Sequence, residues 1–290
     1  MRPVILDTDI GSDVDDILAL VMLAKSPELQ LIGITTVYGD TIHRARIAQA
    51  TCAMLERPDL KIVAGAPKPI SGRQVYWAGH EGEGMPDLAS IVIDTSLKAE
   101  EYLVASADQS SGELEILAIG PLTNIAKAIQ YSAEFERRVK HLYLMGGAFW
   151  LDRPEHNIRC DVDAARIVFE SGIPITAVGL DLTLRVWITE QDVQKIATLP
   201  NQLGKTLDNV IRTWWTFRDL DRNHPHDPLA ALAMIHPEIF RFEYADVKVG
   251  SSDRDFAKTM LTHLGHGRVR LASDVLVRTA EKEIVRRIVA

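Results

Sequence analysis

The fold is decided by residues 3–20, which read PVILDTDIGSDVDDILAL. The apolar run at residues 3–6 predicts a short buried strand that ends at Asp7, and the apolar block at about residues 15–25 predicts a helix. Between them, residues 7–16 carry five carboxylates in ten positions. Ligands of open α/β sheets bind beyond the carboxyl ends of the strands, so we expect the chemistry of this protein at this turn.

The rest of the chain continues the alternation of short apolar strands and helices. Further strands are predicted at residues 31–37, 61–63, 115–119, 142–145, 175–178 and 246–249. Further helices are predicted at residues 42–55, 97–107, 122–129, 164–170, 190–196, 202–220, 228–234 and 279–289, and a loop region at 65–93. This order predicts an α/β fold of one domain over residues 1–290, with an open, Rossmann-like and mostly parallel central sheet flanked by helices.

The composition excludes several classes of protein. The chain has 290 residues, a hydrophobic share of 47% and a formal net charge of −8. An acidic chain is a poor partner for a nucleic-acid polymer, which favours a basic face. The longest apolar run, residues 17–24, is far too short to cross a membrane. Two cysteines form no disulfide framework, and the N-terminus enters a strand without a signal peptide, so we expect a reduced, cytoplasmic setting.

The acidic residues in this turn are of the kind that binds a cation. Asp7 and Asp9 are two apart and therefore lie on one side of an extended segment. Asp15 and Asp16 are adjacent on a helix and point roughly 100° apart, so we expect one to hold a cation and the other a polar group of the substrate. A hard divalent cation would relieve the repulsion among them. A capping box of Ser12 with Asp15 is the plainer alternative, but it leaves Asp7 and Asp9 without a role.

This segment resembles the N-terminal signature of the inosine–uridine-type nucleoside hydrolases, DxDxGxDD followed by an apolar helix, with a two-residue insertion. Four further segments match that family in order: TTVYG at 35–39, IGPLTN at 119–124, MGG at 145–147 with EHNI at 155–158, and HPHDP at 224–228. The resemblance extends to about residue 235. It implies a calcium-dependent enzyme that hydrolyses the N-glycosidic bond of ribonucleosides to ribose and free base.

The resemblance also implies the catalytic residues. A Ca²⁺ ion would be held by the side chains of Asp9, Asp16 and Asp227 and by the carbonyl of Ile119. Asp9 would also take a proton from the attacking water, and His226 would protonate the leaving base. Breaking an N-glycosidic bond creates an oxocarbenium-like sugar, which nearby carboxylates stabilise.

Further positions are expected to contact the substrate or to support the site. Asp15 would hold the ribose hydroxyls, Asn157 and Glu155 the outer hydroxyls of the sugar, and Asp7 and Asp13 would support them. On the substrate side we also expect Asp40 and His80 in the glycine-rich loop 79–84. The helix before His226 carries Trp214, Trp215 and Phe217, of which we expect Trp215 to stack on the base. The chain departs from the family where Asp40 replaces the usual Asn and where the loop at 147–155 is shorter and lacks a sugar-binding Asn.

Two other functions remain open on the sequence. A DxD motif after the first strand also begins phosphatases of the haloacid dehalogenase type, which use an Asp nucleophile and Mg²⁺. A non-catalytic, calcium-dependent ribose-binding protein would need the metal ligands but no base. The expected partner is a small-molecule nucleoside, without nucleic-acid polymer or membrane, and the expected assembly is a homodimer or homotetramer.

Overall fold

Aliphatic residues with alternating directions make the first strand the centre of the sheet. The computed structural model describes residues 1–199 and 201–290. Val4 and Leu6 face one hydrophobic core and Ile5 faces the other, as the two-residue period of a strand requires. The strands are β1 (Arg2–Thr8), β2 (Leu29–Thr36), β3 (Lys61–Ala64), β4 (Leu114–Ala118), β5 (Val139–Met145), β6 (Ile175–Val178), β7 (Ile188–Thr189), β8 (Arg222–Asn223), β9 (Phe240–Val249), β10 (Thr259–Thr262) and β11 (Val269–Val275).

Within the described residues, nine of these strands form one sheet in the order β10-β9-β11-β6-β5-β4-β1-β2-β3. Every neighbouring pair from β3 to β11 is parallel, whereas β9 is antiparallel to both β11 and β10. From β1 the chain adds β2 and then β3 on one side of the sheet. It then adds β4, β5 and β6 on the other side of β1. The direction therefore reverses between β1 and β4, and such a switch point is where open sheets bind their ligands.

Helices cover both faces of the sheet. They are α1 (Asp15–Ala24), α2 (Thr41–Met54), α3 (Ala99–Gln109), α4 (Thr123–Tyr131), α5 (Phe135–Arg138), α6 (His156–Cys160), α7 (Val162–Glu170), α8 (Leu180–Thr183), α9 (Glu190–Ala197), α10 (Asn201–Arg218), α11 (His226–Ile235) and α12 (Val277–Val289). One core contains residues of α1, α10, α11 and α12, and the other contains residues of α3, α4 and α7. The predicted α/β fold with a mostly parallel sheet is confirmed.

The structure differs from the sequence prediction mainly at one edge. Strand β9 is longer than the predicted 246–249, and β10 and β11 were not predicted. Charged and polar residues interrupt the apolar ones along β11, so the sequence alone gives only a weak indication of a strand. The strand is defined by its pairing with β6 and β9. The loop predicted at 65–93 is confirmed, since residues 65–98, all of them described, contain neither helix nor strand. None of the described helices is long and apolar enough to cross a membrane.

Candidate active site

Asp7, the last but one residue of β1, is anchored on both sides. Its Oδ1 accepts hydrogen bonds from the Thr35 hydroxyl at 2.5 Å and from Asn124 Nδ2 at 2.7 Å. Its Oδ2 is buried and has no hydrogen-bond partner among the described residues. Burial raises the pKa of Asp7 to about 7, against the effect of these two donors. Asp7 thus supports the end of the strand, as expected, and does not itself face solvent.

The segment 9–14, here termed the acidic turn, leads from β1 into α1. The N-cap of α1 is Val14, and no side chain of the residues that the structure describes caps this helix end. The Ser12–Asp15 capping box is therefore not formed, and Ser12 Oγ instead accepts from Arg44. Asp15 and Asp16 are both buried at the first turn of α1, and their carboxylates are available for a role other than helix capping.

The third carboxylate of the site belongs to Asp227, at the start of α11. Oxygen atoms of Asp15, Asp16 and Asp227, the three-carboxylate group, all lie within 4.8 Å of one another. The backbone N–H of Asp227 also donates to Asp15 Oδ2 at 3.3 Å. Although Asp15 and Asp16 are adjacent on the helix, their carboxylate oxygens converge. The expected division of roles, one for a cation and the other for a polar group of the substrate, stays a prediction. A carboxylate oxygen stands far enough from its Cα for two neighbours to converge on a third.

Asp9 lies against this group without belonging to it. Only 6% of Asp9 is exposed, and a Cβ on Gly120 would lie 2.9 Å from its Oδ1, so the Gly-Pro turn after β4 leaves no room for a larger residue. Burial, and then the charge of Asp9, raise the pKa of Asp16, whose Oδ1 accepts from the Thr8 hydroxyl. Asp9 is thus electrostatically part of the cluster.

The electrostatics of the three-carboxylate group fit a cation. Burial first, and then the charges of neighbouring carboxylates, raise the pKa values of Asp15, Asp16 and Asp227 well above the ordinary value. Buried carboxylates this close cannot all ionise unless a positive charge accompanies them. The candidate metal ligands in this group are all oxygen atoms, which suit a hard cation such as Ca²⁺ or Mg²⁺ better than Zn²⁺.

The carbonyl of Ile119 and the segment after Gly147 complete the inner edge. Asn157 Nδ2 donates to the Ile119 carbonyl at 2.8 Å and to that of Met145 at 3.2 Å. A carbonyl oxygen has two lone pairs, so Ile119 can accept this bond and still bind a cation. Glu155 is buried and accepts from the backbone N–H groups of Gly147, Asn157 and Ile158. Asn157 and Glu155 thus organise the backbone beside Ile119, and their expected contact with the sugar stays a prediction.

His226 begins α11 beside Asp227. Its Nδ1 lies 2.6 Å from Thr183 Oγ1, and its ring lies 5.5 Å from that of His224. Burial, and then the charge of His224, lower the pKa of His226 to about 3. His226 is therefore neutral near pH 7 in the free protein.

Residues 4–284 match the family model described as inosine-uridine preferring nucleoside hydrolase. The chain belongs to this family.

Several relatives support the assignment. A probable uridine nucleosidase 2 from Oryza sativa subsp. japonica is 33% identical over 263 residues, 85% of this chain and 77% of that protein. The pyrimidine-specific ribonucleoside hydrolase RihA of Shewanella sp. (strain MR-7) is 32% identical over 257 residues, 82% of this chain and 79% of that protein.

Solved structures agree with the sequence relatives. A plant nucleoside hydrolase has a TM-score of 0.90 at 27% identity, covering 100% of this chain and 99% of that chain. A purine-preferring ribonucleoside hydrolase from Gardnerella vaginalis has a TM-score of 0.88 at 28% identity, covering 99% and 98%. The prediction of a hydrolase acting on N-glycosyl compounds is confirmed, and the phosphatase and ribose-binding alternatives lose their support.

Three other residues predicted for the site of this nucleoside hydrolase are not members of the three-carboxylate group. Asp40 is exposed and caps α2, where its Oδ1 accepts from the His43 N–H at 2.9 Å. Asp13 is half-buried, and its pKa is raised to about 7 by burial. Trp215 is buried in the core, and its indole N–H donates to Asn223 at 2.9 Å. The structure thus gives Asp40 and Trp215 structural contacts of their own.

The loop that contains His80 lies over the acidic turn. His80 Nε2 lies 2.8 Å from the Ser12 carbonyl, and its ring stacks on Phe217 at 4.1 Å and on Trp214 at 5.4 Å. A small cavity of about 30 Å³ lies between this loop, the acidic turn and α10, and its lining includes His80 and Trp214. Trp214, not Trp215, is therefore the aromatic residue of α10 that lines this cavity.

Three residues that were not predicted from the sequence also organise the site. Asn124 joins Asp7 to the Thr36 carbonyl and to the Ala66 N–H. Thr183 contacts His226, and Arg44 contacts the acidic turn. The signals available were the Asn that ends the GPLTN motif and, for Arg44, a charge on the apolar face of α2, three residues before Ile47 and four before Ala48.

Proposed function

We propose that this protein is a calcium-dependent ribonucleoside N-ribohydrolase that releases ribose and a free base from small nucleosides. The observation that carries the proposal is the three-carboxylate group, which joins the start of α1 to Asp227, more than 200 residues later, at the switch point of the sheet. Family membership supplies the reaction class, and the cluster supplies the place for it.

The chain offers enough oxygen ligands for one calcium ion. We assign Asp9, Asp16, Asp227 and the Ile119 carbonyl as ligands, as the resemblance implies. Asp15 lies within the same group, so one of its oxygens is close enough to serve either the ion or a ribose hydroxyl. Calcium accepts six to eight oxygen ligands, which leaves room for sugar hydroxyls and water. When bound, a divalent cation of this kind acts as a Lewis acid that makes water easier to deprotonate and orients vicinal hydroxyls.

The chain's own residues would perform the remaining chemistry. Asp9 acts as the base that takes a proton from the attacking water, because its carboxylate lies beside the cluster and is not part of its closest three members. Asp15, Asn157 and Glu155 orient the sugar. The negative charge around the ribose stabilises the positive charge that develops as the glycosidic bond breaks.

His226 is proposed to assist the leaving base. With a pKa of about 3 it holds no extra proton in the free protein, so it would act as a neutral imidazole whose N–H hydrogen-bonds to the base. Neutral imidazoles serve as such donors in other enzymes. Thr183 fixes the ring through Nδ1 and leaves Nε2 for the base.

The names of the relatives span uridine, pyrimidine and purine preferences, so the proposal names ribonucleosides as a class. It also includes a cytoplasmic setting and a homodimeric or homotetrameric assembly.

The test is a panel of ribonucleosides, purine and pyrimidine, with release of reducing sugar measured in calcium and in excess chelator. We expect turnover of at least one ribonucleoside in calcium and its loss in chelator. Asp227→Asn should abolish turnover.

Asp221→Asn is the matched control, since its side chain is 93% exposed six residues earlier in the same segment. It should behave as the wild type. Equal turnover with and without chelator would contradict the metal dependence, and no sugar release from any ribonucleoside would contradict the proposed reaction.

A further inference from the structure

Arg44 of α2 is among the most deeply buried large side chains, with no exposed surface. Its Nε donates to the Tyr38 carbonyl at 2.6 Å, and its Nη1 donates to the Ile10 carbonyl at 3.0 Å and to the Asp9 carbonyl. Its Nη2 donates to Ser12 Oγ at 2.9 Å. One guanidinium therefore contacts both sides of the acidic turn and the end of β2.

This arrangement is unusual for a buried cation. Buried arginines are ordinarily paired with a carboxylate, and leaving a charge without such a partner is costly. Among the ion pairs of the described residues, none includes Arg44, and its direct acceptors are neutral oxygens. The free-energy cost of such a buried charge is expected where the protein needs the backbone geometry that the charge stabilises.

The acidic turn needs such support because of Gly11. This residue has a φ of +109°, a conformation that glycine adopts readily and that nothing in its own side chain can stiffen. Arg44 holds the carbonyl of Ile10 before the glycine and the hydroxyl of Ser12 after it. The planar fork of an arginine can reach acceptors on both sides at once, whereas a lysine ammonium cannot.

By holding the acidic turn, Arg44 also affects Asp9, the catalytic carboxylate. The carbonyl carbon and Cβ of Asp9 are bonded to the same Cα, so holding the carbonyl helps to fix the Cα–Cβ bond from which the carboxylate extends. The ring of Trp77 lies 4.9 Å from the Arg44 guanidinium carbon, so an aromatic face covers the cation.

We propose that Arg44 is a positioning residue that holds the acidic turn in its cation-binding conformation, an inference that rests on the proposed metal site. It touches neither substrate nor metal and acts through the backbone of Asp9 and Ile10. Residues that orient metal ligands typically contribute about 10–100-fold to metal affinity.

The test measures calcium affinity directly, by titration calorimetry of chelator-treated protein with calcium chloride. Arg44→Lys keeps the charge and loses the fork, and we expect calcium to bind about 10–100-fold more weakly. Ser12→Ala removes one of the four contacts, and we expect a loss of about 2–10-fold. Arg46→Lys is the matched control. It alters an arginine on the same helix that donates to the Ile91 carbonyl and not to the turn, and it should bind as the wild type.

Melting temperatures in chelator show which variants fold. Wild-type affinity in folded Arg44→Lys, or a loss no larger than that of Arg46→Lys, overturns the proposal. If Arg44→Lys does not fold, Ser12→Ala decides: a 2–10-fold loss supports the proposal, and unchanged affinity overturns it. A wild-type protein that binds no calcium removes the metal proposal, and this one with it, whereas calcium binding that is indifferent to Arg44 and Ser12 removes this one alone.

Discussion

Asp227→Asn should raise the stability of the metal-free protein and remove the stability that calcium adds. Oxygen atoms of Asp227 lie within 4.8 Å of those of Asp15 and Asp16. At that separation two unit charges repel by about 3 kcal/mol at an effective dielectric constant of about 20. Partial protonation relieves some of this repulsion, because the pKa values of all three groups are raised. Removing one carboxylate should therefore stabilise the metal-free protein by about 1–3 kcal/mol.

The same substitution removes a ligand from the ion. A ligand at 100 times its Kd stabilises the folded state by about 2.7 kcal/mol, so calcium should raise the melting temperature of the wild type by several degrees. Asp227→Asn should start from a higher melting temperature in chelator and gain little or nothing from calcium. The signs of the two effects are therefore opposite.

Thermal unfolding of wild type, Asp227→Asn and Asp221→Asn, each in chelator and in calcium, measures both effects. The control should match the wild type in both conditions. A variant that is less stable than the wild type in chelator, and that gains as much from calcium, would show that Asp227 forms ordinary structural contacts and that the cluster is not a cation site.

Three further results are expected. Ribonucleosides should be cleaved up to about 10⁴-fold faster than 2′-deoxyribonucleosides, because a site built to bind a hydroxyl leaves polar groups unpaired when it is absent; comparable kcat/KM on uridine and 2′-deoxyuridine would contradict this. His226→Ala should slow ribonucleosides by about 10²–10⁴-fold yet barely affect p-nitrophenyl riboside, whose leaving group needs no proton, whereas Asp9→Ala should slow both; equal slowing by His226→Ala would assign it a structural role. The pKa of His141 is lowered to about 4 by burial, so as the pH falls the unfolded chain binds the proton first, and the free energy of unfolding should fall by about 3 kcal/mol between about pH 6.5 and pH 4. His141→Gln should make the free energy of unfolding, measured with denaturant, less dependent on pH in that range. The same pH dependence in the variant as in the wild type would contradict the assignment.

The acidic cluster could be predicted because most of it is contiguous. Asp9, Asp15 and Asp16 follow one buried strand within ten residues, and the position of such a turn in an α/β sheet is fixed by topology. Asp227 lies more than 200 residues away and was identified only through the resemblance of its HPHDP segment. Its approach to Asp15 depends on the packing of α11 against α1, which no local pattern encodes.

Contacts made through the interior were not predicted. Arg44 reaches the acidic turn from another helix, and its charge alone suggested an exposed residue. Trp215 could not be told from Trp214 by sequence, because adjacent aromatics on a helix differ only in the face that packing selects. Asp40 was expected to bind substrate, but its side chain caps α2, a role that the start of a helix offers to any aspartate.

The central claim is tested most directly by a crystal structure of the protein grown in calcium. The account predicts one ion with oxygen ligands at about 2.3–2.6 Å from Asp9, Asp16, Asp227 and the Ile119 carbonyl. Carboxylates that face apart, or a site that stays empty in calcium, would contradict it.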